Sequence, residues 1–376
     1  MTAGLNHYAI AGIEQIDRHA WDALATDRDF FHSYDWLASL DYAFGRSTVF
    51  YLNSHAGLVG GCALWEGESH PGLFYLPDYF PGIQGPWQRP FLWIGARRST
   101  HNEILCIRGS RRSETLATIA EILPHLAVKR GYYACIVPFI PLRLAKEIAD
   151  NCSQARVLMH SAEATLSVPA GGLDSQLESF CSHHRIRSKA ELTAFSHYGN
   201  HVEWCQLDDE LLENAARLIA SNREKYGSHQ GIDWMRRIFD GQKKSSVINA
   251  AVAAIAWRGQ KMLGITIFYR FGTALHARYY GSDYSCEDND FRYFALTYYH
   301  ALNYAAKYGF RECRLSISAL KAKTLRGAKI EPLSALLLFE HAPLSIGECD
   351  DYNHRFYQGY QEQYGSHLTS DWRLLA

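Results

Sequence analysis

Two stretches of the chain carry side chains able to accept a proton or hold an anion. The first runs from Thr273 to Pro332. It contains an imidazole, His276, a carboxylate, Asp283, and a basic run, Lys321-Ala-Lys-Thr-Leu-Arg-Gly327, with Lys329 just beyond. Imidazoles and carboxylates are the usual side-chain proton acceptors of acyl transfer. The basic run follows a predicted strand, and the end of a sheet is a common place for binding groups in α/β proteins. The second stretch is His183-His-Arg-Ile-Arg-Ser-Lys189, the densest local positive cluster. On a helix Arg185 and Lys189 lie four apart on one face. Such a face either meets phosphates, of a coenzyme or of an RNA terminus, or is simply solvated. For His276 the competing reading is a structural histidine whose hydrogen bonds are satisfied inside the fold.

These residues need elements to position them. Alternation at Leu275, Ala277 and Tyr279 predicts a strand with one buried face. A polar turn follows, Gly281 to Asp290. Its end, Cys286-Glu-Asp-Asn-Asp290, suits a helix start, because Asp and Asn side chains accept hydrogen bonds from the free N–H groups of a first turn. Those N–H groups can also receive a carbonyl or phosphate oxygen. Phe291, Phe294, Ala295, Tyr298, Tyr299, Leu302 and Ala305 recur at helical spacing, which predicts a helix to Tyr308 with an aromatic core face. Gly309 sits where a helix commonly stops in a left-handed residue. Cys313, Leu315 and Ile317 read as the next strand.

Strands and helices alternate along the rest of the chain, which argues for an α/β fold. A helix over Phe30–Phe44 is expected, with Ser33 as cap. Strands are expected over 47–53 and 58–66, and a buried strand over Tyr132–Phe139. A helix over 113–130 contains Pro124, which predicts a kink. Residues 67–102 hold Pro71, Pro77, Pro81, Pro86 and Pro90, so they read as a long loop. Its Tyr75, Tyr79, Phe80 and Trp87 either wall a pocket or pack. The most linker-like spot is Pro169-Ala-Gly-Gly172. It divides the chain into an N-terminal domain, 1–169, and a C-terminal domain, 170–376, in which the α/β pattern restarts. Helices are expected there over 174–196 and 208–226.

Composition narrows the classes. With 376 residues and 47% apolar content, two domains with substantial cores are expected. A formal net charge of −1 gives no global basic field, so any nucleic acid must be met by a local patch. The nine cysteines show no Cys-x-x-Cys pair and no zinc pattern, so no metal is expected. The start carries no signal-peptide pattern, and no apolar run approaches spanning length. A reduced, cytoplasmic protein is the expectation.

The order of a basic helix, a Tyr-rich strand, an aromatic helix ending at Gly309, a strand and Lys323-x-x-Arg326-Gly327 resembles a known group. It looks like the GNAT-superfamily acyltransferases related to the Fem peptidoglycan aminoacyl transferases and the peptidoglycan biosynthesis/recognition proteins. The Phe30–Leu40 segment looks like the helix near the start of those proteins. The resemblance implies two tandem GNAT-like domains, each a mixed sheet flanked by helices, and transfer of an acyl or aminoacyl group to an amine. The donors it implies are aminoacyl-tRNA for the Fem branch and acyl-CoA for other GNAT proteins. The usual acetyl-CoA loop, Arg/Gln-x-x-Gly-x-Gly/Ala, is replaced here by Gly281-Ser-Asp-Tyr-Ser-Cys286. That favours a tRNA 3′ end over coenzyme A. The arm found in some Fem proteins is not visible either, which favours a small natural-product amine over a cell-wall precursor as acceptor.

Under that resemblance the expected roles follow. Asp283 and His276 accept the proton, and Lys323 with N–H groups near Tyr280 and Gly281 stabilises the oxyanion. Arg185, Lys189 and Arg326 hold donor phosphates, and Tyr284 lies in the donor loop. No permanently bound cofactor is expected. The alternatives are an acyl-CoA-dependent N-acyltransferase and a non-catalytic binder of peptidoglycan or peptide.

Overall fold

The chain forms two compact units, Met1–Glu163 with Ile330–Ala376, and Ala164–Lys329. This is seen in a computed structural model that describes residues 5–375, except 27, 71, 229 and 286–288.

The first unit begins with β1 (Leu5–Ala11), α1 (Arg18–Asp22) and α2 (Tyr34–Phe44). Ser33 caps α2 as expected, its hydroxyl accepting from the Trp36 N–H at 3.4 Å. Residues Phe30–His32 form a separate 3₁₀ turn before it. Then come β2 (Thr48–Ser54), β3 (Gly57–Glu66), β4 (Leu92–Ile94), β5 (Leu105–Cys106), α3 (Arg112–Lys129), β6 (Cys135–Pro141), α4 (Leu142–Ala149) and β7 (Arg156–Ser167). The expected long loop before β4 is packed. Phe80 and Trp87 are buried and stacked with centroids 4.1 Å apart. Leu116, Ile119 and Leu123 of α3 face the sheet and meet Phe50, Leu64 and Val137 in one core. Pro124 is accommodated inside α3.

The second unit holds α5 (Gly172–Ser179), α6 (Ser182–His197), β8 (Asn200–Cys205), α7 (Asp209–Lys225), α8 (Gly231–Lys244), β9 (Ala251–Arg258), β10 (Lys261–Phe271) and β11 (Ala274–Ser282). The single helix expected over 174–196 is thus two. Asp208 caps α7, accepting from the Leu211 N–H at 2.8 Å. The aromatic helix follows as α9 (Arg292–Phe294), a π segment (Ala295–Tyr299) and α10 (His300–Lys307). Gly309 ends it with φ +77°. Most of the helix start expected at 286–290 lies outside the described residues. β12 (Glu312–Arg314) and α11 (Leu320–Thr324) close the unit.

Each unit carries one parallel strand pair bridged by a helix, β4 with β6 and β11 with β12, among antiparallel neighbours. Parallel neighbours need such a crossover, because a tight hairpin can only reverse the chain. This is the expected α/β architecture, with parallel and antiparallel pairs mixed in each unit and helices flanking them. Among the described residues no helix is long and apolar enough to cross a membrane.

The last strand and helix are β13 (Lys329–Leu338) and α12 (Ile346–Tyr364). The sequence reading groups them with the second domain. In the structure they return to the first unit, because β13 pairs antiparallel with β6 from Leu333↔Pro141 to Leu338↔Cys135. Trp372 fixes the return. It is 1% exposed, stacks on Tyr360 with centroids 4.8 Å apart, and donates its indole N–H to the Ile330 carbonyl at 2.9 Å. Trp372→Ala is expected to cost the first unit about 3–5 kcal/mol in equilibrium denaturation, although the residue lies at the far end of the chain.

Candidate functional site

The second unit owes its geometry to two parallel strands that part. β11 and β12 pair over three rungs, Ala274↔Glu312, Leu275↔Cys313 and His276↔Arg314. Beyond them β11 continues along β10, whereas the chain after β12 stays on residue 164. The Leu315 N–H donates to the Ala164 carbonyl at 2.8 Å, and the Ala164 N–H to the Ser316 carbonyl at 3.1 Å. Among the described residues, β11 therefore runs from Ala277 to Ser282 without β12 beside it. On its other side the register against β10 slips between Ile267 and Phe268, which leaves Arg278 as the extra residue of a bulge. Gly281 lies in this stretch for a packing reason. A Cβ there would sit 2.6 Å from the Ile219 nitrogen and 2.7 Å from the Leu218 carbonyl carbon, so only glycine lets α7 lie on the strand.

A buried polar network anchors the turn after β11. Arg292 donates through Nε to both Asp290 oxygens at 2.8 and 3.0 Å, and through Nη1 to the Leu263 and Asp283 carbonyls at 3.0 and 3.2 Å. Asn200 Nδ2 and Arg258 Nη2 also donate to Asp290, at 2.8 and 3.3 Å. Asp283 pairs with Lys261 at 2.8 Å and accepts from the Ser285 N–H at 2.8 Å. Burial raises its pKa, but the Lys261 and Ser285 hydrogen bonds outweigh it and bring the carboxyl down to about 2. Such a carboxylate is a weak base. Tyr284 donates to Asn222 at 2.5 Å beneath the Lys225 ammonium, and burial pushes its hydroxyl up to about 12. Tyr280 meets the Tyr293 ring edge-on at 4.8 Å, and burial raises its pKa too.

The basic run sits against α6, and its charges are engaged within the fold. Lys323 is 2% exposed and donates to the Leu315 carbonyl and, at 3.1 Å, to the Ser316 carbonyl. It thereby holds a turn in which Ser316 and Ala319 adopt left-handed φ of +65° and +52°. Arg326 donates to both oxygens of Glu191 at 2.6 and 2.7 Å, and its guanidinium carbon lies 3.3 Å from the Phe294 ring centroid. Tyr299 donates to the same carboxylate. Gly327, with φ +89°, abuts Gln176 and Phe180, where any Cβ would collide. Arg185 donates to the Phe180 carbonyl at 3.3 Å and is half-buried, while Lys189 is exposed.

The structure joins the second basic run to α6 through Arg326 and Glu191, while Arg185 reaches the Phe180 carbonyl just before the start of α6. It places the Lys323 and Arg326 side chains on internal partners, so they shape the turn where direct ligation was expected. His276 is 3% exposed at the last paired rung of β11. Glu191, Asp290, Arg292, Asn200 and Arg258 were not anticipated as a set. They come from five different elements or turns, and no local spacing marks them. The π segment was not anticipated either. It turns Thr297 toward Thr266, with hydroxyls 3.1 Å apart, inside a run whose helical period looked regular.

With this geometry in place, comparison with known proteins identifies the class. The fold is a mixed α/β fold shared with FemX. A family model described as FemAB-like, peptidoglycan biosynthesis/recognition, matches residues 90–342. The chain belongs to the FemAB-like family. It is similar to the crystal structure of FemX, at 12% identity and TM-score 0.59, over 86% of this chain and 96% of that one. It is also similar to a conserved protein of unknown function from Bacteroides thetaiotaomicron, at 11% identity and TM-score 0.53, over 86% of this chain and 98% of that one. At these identities the likeness is one of fold. No curated protein sequence matches the chain.

The Glu191–Arg326 pair carries a measurable prediction. Glu191→Ala strands a buried guanidinium and is expected to cost about 3–5 kcal/mol. The double change Glu191→Leu with Arg326→Met is expected to cost less than Glu191→Ala, read in a denaturation cycle.

Proposed function

We propose that this chain is an N-acyltransferase that moves an aminoacyl group from aminoacyl-tRNA to an amine of a small molecule or peptide. The description of its family brings a peptidoglycan precursor forward among the acceptors. The observation that carries the reading is the parting of β11 and β12. It leaves main-chain groups of Ala277–Ser282 beside an anchored polar turn, where an extended acyl group and a developing oxyanion find preorganised partners.

The reaction asks little covalent chemistry of the protein. The amine nitrogen bonds to the ester carbonyl carbon, the tetrahedral oxyanion collapses, and the ester C–O bond breaks. The ribose oxygen leaves with the proton that the amine gives up, directly or through a base. Alignment supplies most of the rate. Of the two candidate acceptors His276 suits the proton better, since Asp283 holds one too weakly at its lowered pKa. Lys323 and Arg326 act as positioning residues that hold the turn after β12. Arg185 and Lys189 on α6 are the groups left to meet phosphates of the tRNA end. The choice of tRNA over acyl-CoA is supported by the sequence Gly281-Ser-Asp-Tyr-Ser-Cys286, which stands where the acetyl-CoA loop is expected. A pyrophosphate cradle needs N–H groups there. Use of charged tRNA implies work in the cytoplasm.

The deciding experiment incubates the protein with bulk tRNA charged with labelled amino acids and a panel of amines that includes a peptidoglycan stem peptide. Amide product is expected, and RNase is expected to abolish it. Product that survives RNase and needs acyl-CoA would replace the donor. Peptide binding with turnover from neither donor would leave a recognition protein. Arg185→Ala with Lys189→Ala is expected to reduce the salt slope of tRNA binding by about 2, since each of the two cations neutralises one phosphate. Lys323→Met is expected to lower turnover by about 10²-fold through misplacement of the turn, with tRNA affinity little changed.

A further inference from the structure

We propose that Asp29, His101 and Glu103 in the first unit form a binding site for a divalent transition-metal cation, with Glu163 fixing His101 from behind. One donor atom from each of the three ligands lies within 4.8 Å of the others. Asp29 and His101 are 1% and 2% exposed. Asp29 Oδ2 accepts from the Thr26 N–H at 2.6 Å. Its Oδ1 is buried, and the carboxyl lies within hydrogen-bond reach of the Glu103 carboxylate. Two buried carboxylates that close need a proton or a cation between them, and a divalent cation can take the proton's place.

Histidine supplies the directional evidence. His101 Nδ1 lies 3.0 Å from Glu163 Oε2, and His101 Nε2 lies 3.0 Å from Glu103 Oε1. A carboxylate behind one ring nitrogen fixes the tautomer and turns the other nitrogen's lone pair to the metal, the usual arrangement behind a ligating histidine. Two ligand atoms each about 2.1 Å from a cation, at octahedral or tetrahedral angles, stand about 3.0–3.4 Å apart. The Nε2–Oε1 separation falls in that range. Once binding displaces the proton between Asp29 and Glu103, two carboxylates and a neutral imidazole carry a charge of −2, which a divalent cation cancels. The mixed nitrogen and oxygen set suits zinc, manganese or ferrous iron, whereas calcium and magnesium prefer oxygen alone.

The ligand loops are held independently of any metal. Asn102 Nδ2 donates to the Pro138 carbonyl at 2.8 Å, and its N–H to the Phe139 carbonyl at 3.0 Å. The Glu103 N–H donates to His32 Nε2 at 3.3 Å. A cation here ties the turn before Phe30–His32 to the segment leading into β5. The sequence reading expects no metal because it looks for closely spaced ligands, and these three are brought together by the fold.

The full-length, tag-free protein, stripped with EDTA and dialysed, is titrated with Co²⁺ and then Zn²⁺. One Co²⁺ per chain with visible ligand-field absorption, displaced by Zn²⁺, is expected, together with a rise in melting temperature. Asp29→Asn and Glu103→Gln are expected to remove both effects, and Glu163→Gln to weaken Co²⁺ binding by about 10–100-fold. Wild-type protein that takes up neither ion at one per chain overturns the site, as does binding indifferent to Asp29→Asn and Glu103→Gln. Should those variants fail to fold, nitrogen NMR of wild-type His101 decides. A Zn²⁺-dependent shift at Nε2 upholds the site, and two protonated ring nitrogens unmoved by Zn²⁺ overturn it.

Discussion

The second unit depends on one buried ion pair. Glu191 on α6 receives Arg326 through both oxygens and Tyr299 through one, so one carboxylate ties a helix, the π segment and the turn after β12 together. A buried carboxylate and guanidinium each lose several kcal/mol of hydration, and only near-ideal geometry offsets it. Here Arg326 Nη2 reaches both Glu191 oxygens, Nη1 donates to the Ala322 carbonyl, and the Phe294 ring lies against the guanidinium. The arrangement fixes register more than it adds stability. If α6 slid by one turn, the carboxylate would lose both partners at once.

The same logic explains why the strands part where they do. A parallel pair can stay together only while both chains travel in one sheet. After Arg314 the chain turns through two left-handed residues, Ser316 and Ala319, and Lys323 meets the carbonyls that this turn exposes. The ammonium therefore supplies the Leu315 carbonyl with a donor that an apolar side chain lacks, and adds to the Ala164 N–H at the Ser316 carbonyl. On the other strand, Gly281 lets α7 lie close, and the Arg258–Asp290–Arg292 network holds the turn beyond it. The opening between the strands is thus framed by charged residues turned inward.

The fold was largely legible because its signals are local. Period-2 alternation marked β11, the aromatic repeat marked the helix after it, Ser33 marked its cap, and Gly309 marked a stop. The order of these elements was enough to suggest tandem GNAT-like domains. The site was legible only in outline. Lys323 and Arg326 stood out as charges at a strand end, but charge alone does not say whether a side chain faces solvent or its own backbone. That depends on Glu191 and on the carbonyls of Leu315 and Ser316, whose proximity is a product of the fold. The return of β13 to the first unit was hidden for the same reason, since strand pairing across long sequence separations leaves no periodic trace. The π segment was hidden because one extra residue per turn shifts burial by less than an aromatic side chain covers.

The two units use polar residues differently, and that contrast bears on where chemistry belongs. In the second unit buried carboxylates meet permanent cations: Glu191 meets Arg326, and Asp290 meets Arg292 and Arg258. Such pairs, each held by several hydrogen bonds, serve as fixed struts. In the first unit the buried carboxylates of Asp29, Glu103 and Glu163 surround an imidazole. Burial, with the neighbouring Glu103, pushes Asp29 up to about 8, and burial brings His32 down to about 3. A cluster of that kind changes its charge with whatever proton or cation it holds. The second unit therefore has the rigidity that positional catalysis needs, and the first has the groups whose charge responds to a bound species.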